Sequence, residues 1–207
     1  MYGTVRTVVW ELGVGDCPWL PDLVMVFEHK RDAERMMSVL SKRFGKYGLQ
    51  LHPDKTRMLE FKPRLESRSE NLGQPSSRSF DFLGFTLHWG RSRKGYWIVK
   101  RKTAKSRLRR TIKQFNRWLQ KVRHQPVEWQ HKKISQKLNG HYAYFGVTGN
   151  NRSLVKVLRQ VEHLWCKWLG RRSWRAFMTW DKFKLLLQHY PLPSPRIVHS
   201  YRRGAKP

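Results

Sequence analysis

The sequence predicts an α+β fold with strands in its first half and helices in its second, and three features predict it. Leu23-Val24-Met25-Val26-Phe27 is a continuously apolar run of strand length, and Ala33, Met36, Met37, Leu40, Phe44 and Tyr47 then recur at helical spacing. Phe82-Leu83-Gly84-Phe85-Thr86-Leu87-His88-Trp89 and Tyr96-Trp97-Ile98-Val99 are rich in aromatic and branched residues, and Gly90 to Gly95 join them as a hairpin. From Ala104 the period changes: Leu108, Ile112, Phe115, Leu119 and Val122 form the apolar seam of an amphipathic helix that Pro126 closes.

Taken in order, residues 1–20 read as an unstructured or unrelated segment, because Gly3, Gly13, Gly15, Pro18 and Pro21 surround the only apolar run, Val8-Val9-Trp10. The strand at Leu23 to Phe27 and the following helix come next, with Asp32 as an early acidic residue or cap and Gly48 as the stop. Leu49-Gln50-Leu51 begins a return strand, Pro53-Asp54-Lys55-Thr56 turns, and Arg57 to Phe61 extends again. Residues 63–79 are an exposed loop by composition. In the hairpin, alternation places Leu83, Phe85, Leu87 and Trp89 inward and makes Gly84 a close approach on the opposite face. Beyond Pro126, Val127 to Phe145 is a helix with Ile134 and Leu138 inward and Gly140 as its kink or end. Val147 to Asn151 turns, and Leu154, Val157, Leu158, Val161, Trp165 and Trp168 mark a helix stopped near Gly170. A shorter helix, Trp180 to Gln188, precedes Pro191 and Pro193. The domain reading is therefore 1–20, a strand-rich part at 21–101, a helical part at 102–190 and a basic tail at 191–207.

Charge divides the chain more sharply than secondary structure does. Residues 1–90 carry 13 Lys and Arg against 11 acids, whereas 91–207 carry 30 against 3. Lys100 to Arg123 alone contains 11 Lys and Arg and no acid, where a solvated helix normally mixes signs to gain i,i+4 pairs. A solvated basic face, a membrane-surface or calmodulin-like helix, and a nucleic-acid grip all compete for that stretch. Lys132, Lys133, Lys137, Arg152, Lys156 and Arg159 continue the charge over further helices, which suits an extended polyanion better than a bilayer plane. Two cysteines, Cys17 and Cys166, make neither a disulfide framework nor a thiolate metal site. With no long apolar run and no signal peptide, the expected setting is cytoplasmic, without a membrane partner.

Leu49-Gln50-Leu51-His52-Pro53-Asp54-Lys55-Thr56, then Phe82-Leu83-Gly84-Phe85, then Lys137-Leu138-Asn139-Gly140-His141-Tyr142-Ala143-Tyr144-Phe145 resemble, in order and spacing, bacterial group II intron reverse transcriptases. The resemblance covers roughly Leu23 to Tyr201. It implies a remnant palm (strand, helix, strands and a β-hairpin) followed by an α-helical thumb or maturase domain that grips intron RNA, an RNA template or an RNA–DNA hybrid. The family's polymerase site needs a Tyr-Ala-Asp-Asp turn before the strand matching Leu23 to Phe27, whose carboxylates hold two Mg²⁺. Here that place reads Trp19-Leu20-Pro21-Asp22, so only Asp22 has a counterpart and the metal site is not intact. Lys55 matches a family lysine beside the incoming nucleotide, where an ammonium can donate to the leaving pyrophosphate.

The resemblance thus implies an RNA-binding remnant of an intron reverse transcriptase/maturase with no polymerase activity or cofactor as this chain. An alternative is one part of a split RNA-directed DNA polymerase, using Mg²⁺ and completed by a separate amino-terminal palm chain. A third reading is a non-specific basic RNA-binding protein. The candidate nucleic-acid contacts are Lys100, Arg101, Lys102, Lys105, Arg109, Lys113, Arg117, Lys121, Lys132, Lys133 and Lys137. Phe82, Gly84 and Phe85 form the hairpin that lies near the primer end in the family, and their rings read equally as base-stacking or as core. His163 and Cys166, three residues apart on a helix, read as packing rather than as metal ligands.

Overall fold

The computed structural model describes residues 6–11, 22–49, 56–59, 61, 79–173, 175 and 177–200. The described elements are β1 (Arg6–Glu11), β2 (Asp22–Phe27), α1 (Lys30–Lys46), β3 (Arg57–Leu59), β4 (Ser79–Phe82), β5 (Phe85–Arg91), β6 (Trp97–Thr103), α2 (Lys105–Lys121), α3 (Val127–Phe145), α4 (Asn151–Leu169) and α5 (Trp180–His189), an α+β fold. They divide into two units, residues 1–83 with 87–100, and residues 84–86 with 101–207. Gln50 to Lys55 and the loop 63–78 lie outside the described residues.

In the first unit β1 is the central strand of an antiparallel sheet of order β2-β1-β3. The expectation of no regular structure in residues 1–20 fails here, since Arg6 to Glu11 pairs along its whole length with Asp22 to Phe27. Two β-branched residues and a tryptophan, Val8-Val9-Trp10, outweigh glycines and prolines that fall outside the six paired positions. The period-2 rule then sorts the neighbouring strands. Met25, Phe27 and Met58 pack with Ala33, Leu40, Met37 and Phe44 of α1, while Val24 and Leu59 join a second cluster with Phe61, Phe80, Phe82, Leu87 and Trp89. Helix α1 ends where the positive φ of Gly48 (70°) allows, but Tyr47, one turn past the packed stripe, is 80% exposed.

The hairpin stretch departs from the expected single strand. Leu83 and Gly84 break it into β4 and β5, and both have positive φ (48° and 78°), the signature of a two-residue turn whose twist matches its strands. The alternation reading holds in part: Leu87 and Trp89 pack in the cluster around Phe61 and Phe80, but Leu83 is exposed and Thr86, expected on the opposite face, is buried. Gly84 therefore serves turn conformation; a Cβ there would make only ordinary contacts, 3.5 Å from Arg107. Strands β4, β5 and β6 form a second sheet in that order.

The second unit is built on one apolar core. Phe115 and Leu119 from α2, Ile134, Leu138 and Tyr142 from α3, Leu154, Val157, Val161 and Trp165 from α4 and Phe183 from α5 are all buried in it. Gln130, Ile134, Leu138 and Tyr142, four apart, put one stripe of α3 wholly inside. The helix runs unbroken through Gly140 because its exposed position leaves nothing to pack or to kink. Gln130 is the polar member of that stripe, 1% exposed. Its amide nitrogen donates to the carbonyls of Val122 (2.8 Å), Arg123 (3.2 Å) and Gln125 (3.0 Å), and its oxygen accepts from the indole of Trp165 (2.9 Å). The partners dictate the amide's orientation, since carbonyls only accept and an indole N–H only donates. Those carbonyls lie in the turn that follows α2; that of Val122 also accepts from the Gln125 N–H (3.0 Å) and that of Gln125 from Arg172.

Asn150 closes the opposite end. It accepts from the Thr103 N–H (2.8 Å) and donates to the Thr103 hydroxyl (2.9 Å) and the Phe145 carbonyl (2.8 Å), tying the end of β6 to the α3–α4 turn. Residues 191–200, expected to begin a basic tail, instead run against α3. Tyr142 donates to the Pro193 carbonyl (3.2 Å), His131 to that of Pro191 (2.9 Å), and the His199 ring to that of Ala143 (2.8 Å). Proline lacks an N–H but keeps its carbonyl, so this proline-rich segment is well suited to accept from a helix surface. At Gly146 a Cβ would collide with the Tyr142 carbonyl and lie 2.7 Å from that of Arg196, which excludes any side chain.

Two substitutions test this account in denaturant unfolding. Leu83→Asn should raise stability by about 0.5 to 1 kcal/mol, since asparagine tolerates positive φ and the leucine is exposed; a decrease would mean that the Leu83 side chain contributes more than its backbone strain costs. Gln130→Met keeps the volume but strands the buried indole N–H of Trp165 and takes a donor from the turn after α2, and should cost about 1 to 3 kcal/mol.

Candidate nucleic-acid interface

Helix α2 carries the largest net charge of the described elements, seven cations and no acid. An amphipathic sequence forces its geometry: Phe115 and Leu119 are buried, Leu108, Ile112 and Trp118 partly so, and the charged positions are left outside. All seven of its cations, Lys105, Arg107, Arg109, Arg110, Lys113, Arg117 and Lys121, are on that outer surface, and the ion pairs Lys30–Glu34 (3.5 Å) and Lys184–Asp181 (3.1 Å) lie elsewhere. Lys105 and Arg107 also stand in the first turn, which has no acidic residue, and so oppose the helix dipole. Stability alone would place carboxylates there.

Past the end of α2, Arg117, Gln120, Lys121, Arg123 and His124 line an open depression of about 660 Å³. Within it Arg123 donates to the His124 ring (3.0 Å) and to the Gln120 carbonyl (3.4 Å), which holds the guanidinium in place. Across the turn Arg172 donates to the Gln125 carbonyl (2.7 Å), and burial lowers the pKa of its guanidinium from the usual value.

On α3, Lys132 and Lys137 are exposed and Lys133 is half-buried. The Lys137 ammonium lies 5.1 Å from the ring centre of Trp118, and that of Lys133 lies 5.9 Å from Trp129. In β6, Lys102 is exposed and Arg101 partly buried. Lys100 is less available than its residue type implies, for its stem runs over Gly90, where a Cβ would come within 2.8 Å of the Lys100 Cδ. Arg107, Arg110, Arg123 and His124 are additions to the candidates; the first three lie inside the acid-free run, and complete helical periodicity would have included them.

Two stretches distant in sequence meet in this unit. The Phe85 ring stacks on Tyr144 (5.9 Å between centres, 16°) and lies 5.3 Å from Phe145, while the Gly84 carbonyl accepts from the Ala104 N–H (2.9 Å). Phe82 instead joins the cluster around Phe61 and Phe80 in the first unit. His141 packs 4.7 Å from Phe145 with its Nε2 buried and unpartnered, and burial pushes its pKa down to about 4. Glu162 is raised by burial, against the opposing pull of His163 and Arg159. His163 stacks on Trp180 (4.6 Å, 17°) and burial raises the Cys166 thiol, so both side chains have packing partners and the thiol stays protonated.

The backbone of Asp22 closes the β1–β2 ladder opposite Glu11, and Lys55 lies outside the described residues. No group of three His, Cys, Asp or Glu able to hold a metal occurs among the described residues, and Pro21 occupies the neighbouring position that a two-metal site needs as a carboxylate. No helix among the described residues is long and apolar enough to cross a membrane. No protein-family model matches the chain, and no curated protein matches it.

The depressed His141 has a consequence in acid. Between about pH 6.5 and 4 the unfolded chain takes up a proton that the folded chain refuses, so this contribution to stability is complete above 6.5 and is lost as pH falls towards 4. His141→Leu should remove about 1 to 2 kcal/mol of that acid sensitivity, the shift being discounted for the ring's remaining solvent screening. Equal pH profiles for the two proteins would place the titration elsewhere.

Proposed function

We propose that this chain is an RNA-binding remnant of the group II intron reverse transcriptase/maturase type, gripping intron RNA or template through its helical unit and without polymerase activity of its own. The observation that carries the reading is α2: seven exposed cations on 17 residues, with no acid between Arg91 and Val127. Such a surface is matched by a polyanion whose phosphates are spaced along a strand. In this reading the first unit corresponds to the end of a palm, α2 to α4 to a thumb, and Phe85 beside Tyr144 and Phe145 to the junction of the family's motifs. The single carboxylate at Asp22 supports a binding role over a catalytic one, because phosphoryl transfer draws its main electrostatic stabilisation from paired metals.

Lys105, Arg109, Lys113 and Arg117 form one inclined stripe on α2, about 18 Å long at about 1.5 Å per residue. If about six cations engage phosphate, the logarithm of affinity should fall against the logarithm of salt with a slope of roughly −4 to −5. Replacing these four by Gln should weaken binding to structured RNAs of different sequence alike and flatten the slope by about one for each phosphate no longer neutralised. An unchanged slope would make this stripe merely solvated. Template-directed extension of a primed RNA by the purified chain would overturn the non-catalytic half of the proposal.

A further inference from the structure

Trp129 stands in the first turn of α3 with 38% of its surface exposed, and its ring stacks on Trp118 of α2 at 6.3 Å between centres and 24° between planes. A tryptophan left this open keeps apolar area in water that a smaller side chain would not present. The two ammonium groups close to these rings, Lys133 and Lys137, lie along α3 at four-residue steps from Trp129. On α2, Gln114 and Lys121 share the side of Trp118 by helical spacing, so cations border the aromatic pair on both helices. The stripe Lys105, Arg109, Lys113 and Arg117 belongs to a different side of α2 by the same periodicity.

We infer that the Trp118–Trp129 pair is a stacking platform for an unpaired base, with Lys133 and Lys137 supplying cations to the flanking phosphates, so that this face takes a single-stranded stretch of RNA. The inference rests on the RNA-binding reading above and deepens it. A base stacks on an indole through its π-face, which a duplex offers only at its ends, whereas every nucleotide of a single strand can present one. The ammonium–indole contacts are weak where solvent reaches them, and a phosphate is a stronger partner for either lysine. Trp129 is prevented from collapsing into the core by the ring beneath it, since Trp118 already packs against that core. Charge decides the class of occupant: with 30 Lys and Arg against 3 acids in residues 91–207, a basic partner would be repelled and a neutral one would gain nothing from the field.

The test measures affinity of the full chain for three probes at one salt concentration: a 12-nucleotide single-stranded RNA, a blunt RNA duplex and polyglutamate. Trp129→Leu preserves apolar bulk but removes the π-face, and Trp129→Phe keeps a smaller one; thermal midpoints close to that of the parent show that both fold. The expected result is a loss of roughly 5- to 150-fold for the single strand with Trp129→Leu, a smaller loss with Trp129→Phe, and an unchanged duplex affinity. Lys133→Gln with Lys137→Gln should weaken the single strand and flatten its salt slope by about 1.4. Equal losses for single strand and duplex, or none for either, overturn the platform while leaving the α2 phosphate grip standing. A loss for polyglutamate as large as for the single strand also overturns it, making the face an acidic-peptide site. Failure of the parent chain to bind either RNA overturns the RNA reading itself, and the platform with it.

Discussion

The amide of Gln130 joins three helices at one point. It sits on α3, holds the carbonyls of the turn that leaves α2 and receives the indole of Trp165 from α4. Without it, the buried indole N–H of Trp165 would have no acceptor and the Arg123 carbonyl would lose its donor, at about 1 to 3 kcal/mol for a stranded buried group. Because the bonds are directional, they also set where α3 begins relative to the end of α2. Trp129 is the residue immediately before Gln130, so the aromatic pair on the surface inherits its spacing from a polar group in the interior.

That arrangement lets a highly charged helix fold without a partner. Lys105, Arg109, Lys113, Arg117 and Lys121 make successive i,i+4 pairs of like sign, each destabilising by about 0.2 to 0.5 kcal/mol. Burial of Phe115 and Leu119 returns about 1.5 to 3 kcal/mol apiece, and Trp168 adds a hydrogen bond to Asn116 at 2.8 Å. Packing therefore exceeds repulsion, and the fold of α2 does not wait for RNA. What a polyanion relieves is the remaining field, which favours rapid association.

The helices of the second unit were legible because their apolar residues fall on one face and their ends carry proline or glycine: Leu108 to Val122 traces α2, and Ile134 and Leu138 lie on the buried stripe of α3. Charge was legible as a total, but the pairing of Trp118 with Trp129 was not, because it depends on how α2 and α3 pack. The strands were harder. Leu83-Gly84 reads as the middle of an apolar run unless positive φ is foreseen at a leucine, and β1 is short enough to be hidden by the glycines around it. Gln130 and Asn150 were invisible for another reason: a buried amide has no sequence signature, since its value lies in partners up to 47 residues away. Lys100 shows the reverse error, a cation whose stem is occupied in covering Gly90.

The segment at 191–200 is fastened almost entirely through main-chain carbonyls. The side-chain donors are a tyrosine, a threonine and two histidines, each histidine through a ring nitrogen. Burial and the nearby Glu162 push the Tyr142 hydroxyl up to about 12, so it keeps its proton in any ordinary buffer. An imidazole donates through Nε2 both as the cation and in the neutral Nε2–H tautomer. The carbonyls of Pro191 and Pro193 accept whatever side chain their residues carry. Substitution would be tolerated at the accepting positions 191 and 193 but not at Gly146, so most of this strap depends on backbone geometry and only the His199 contact on residue identity.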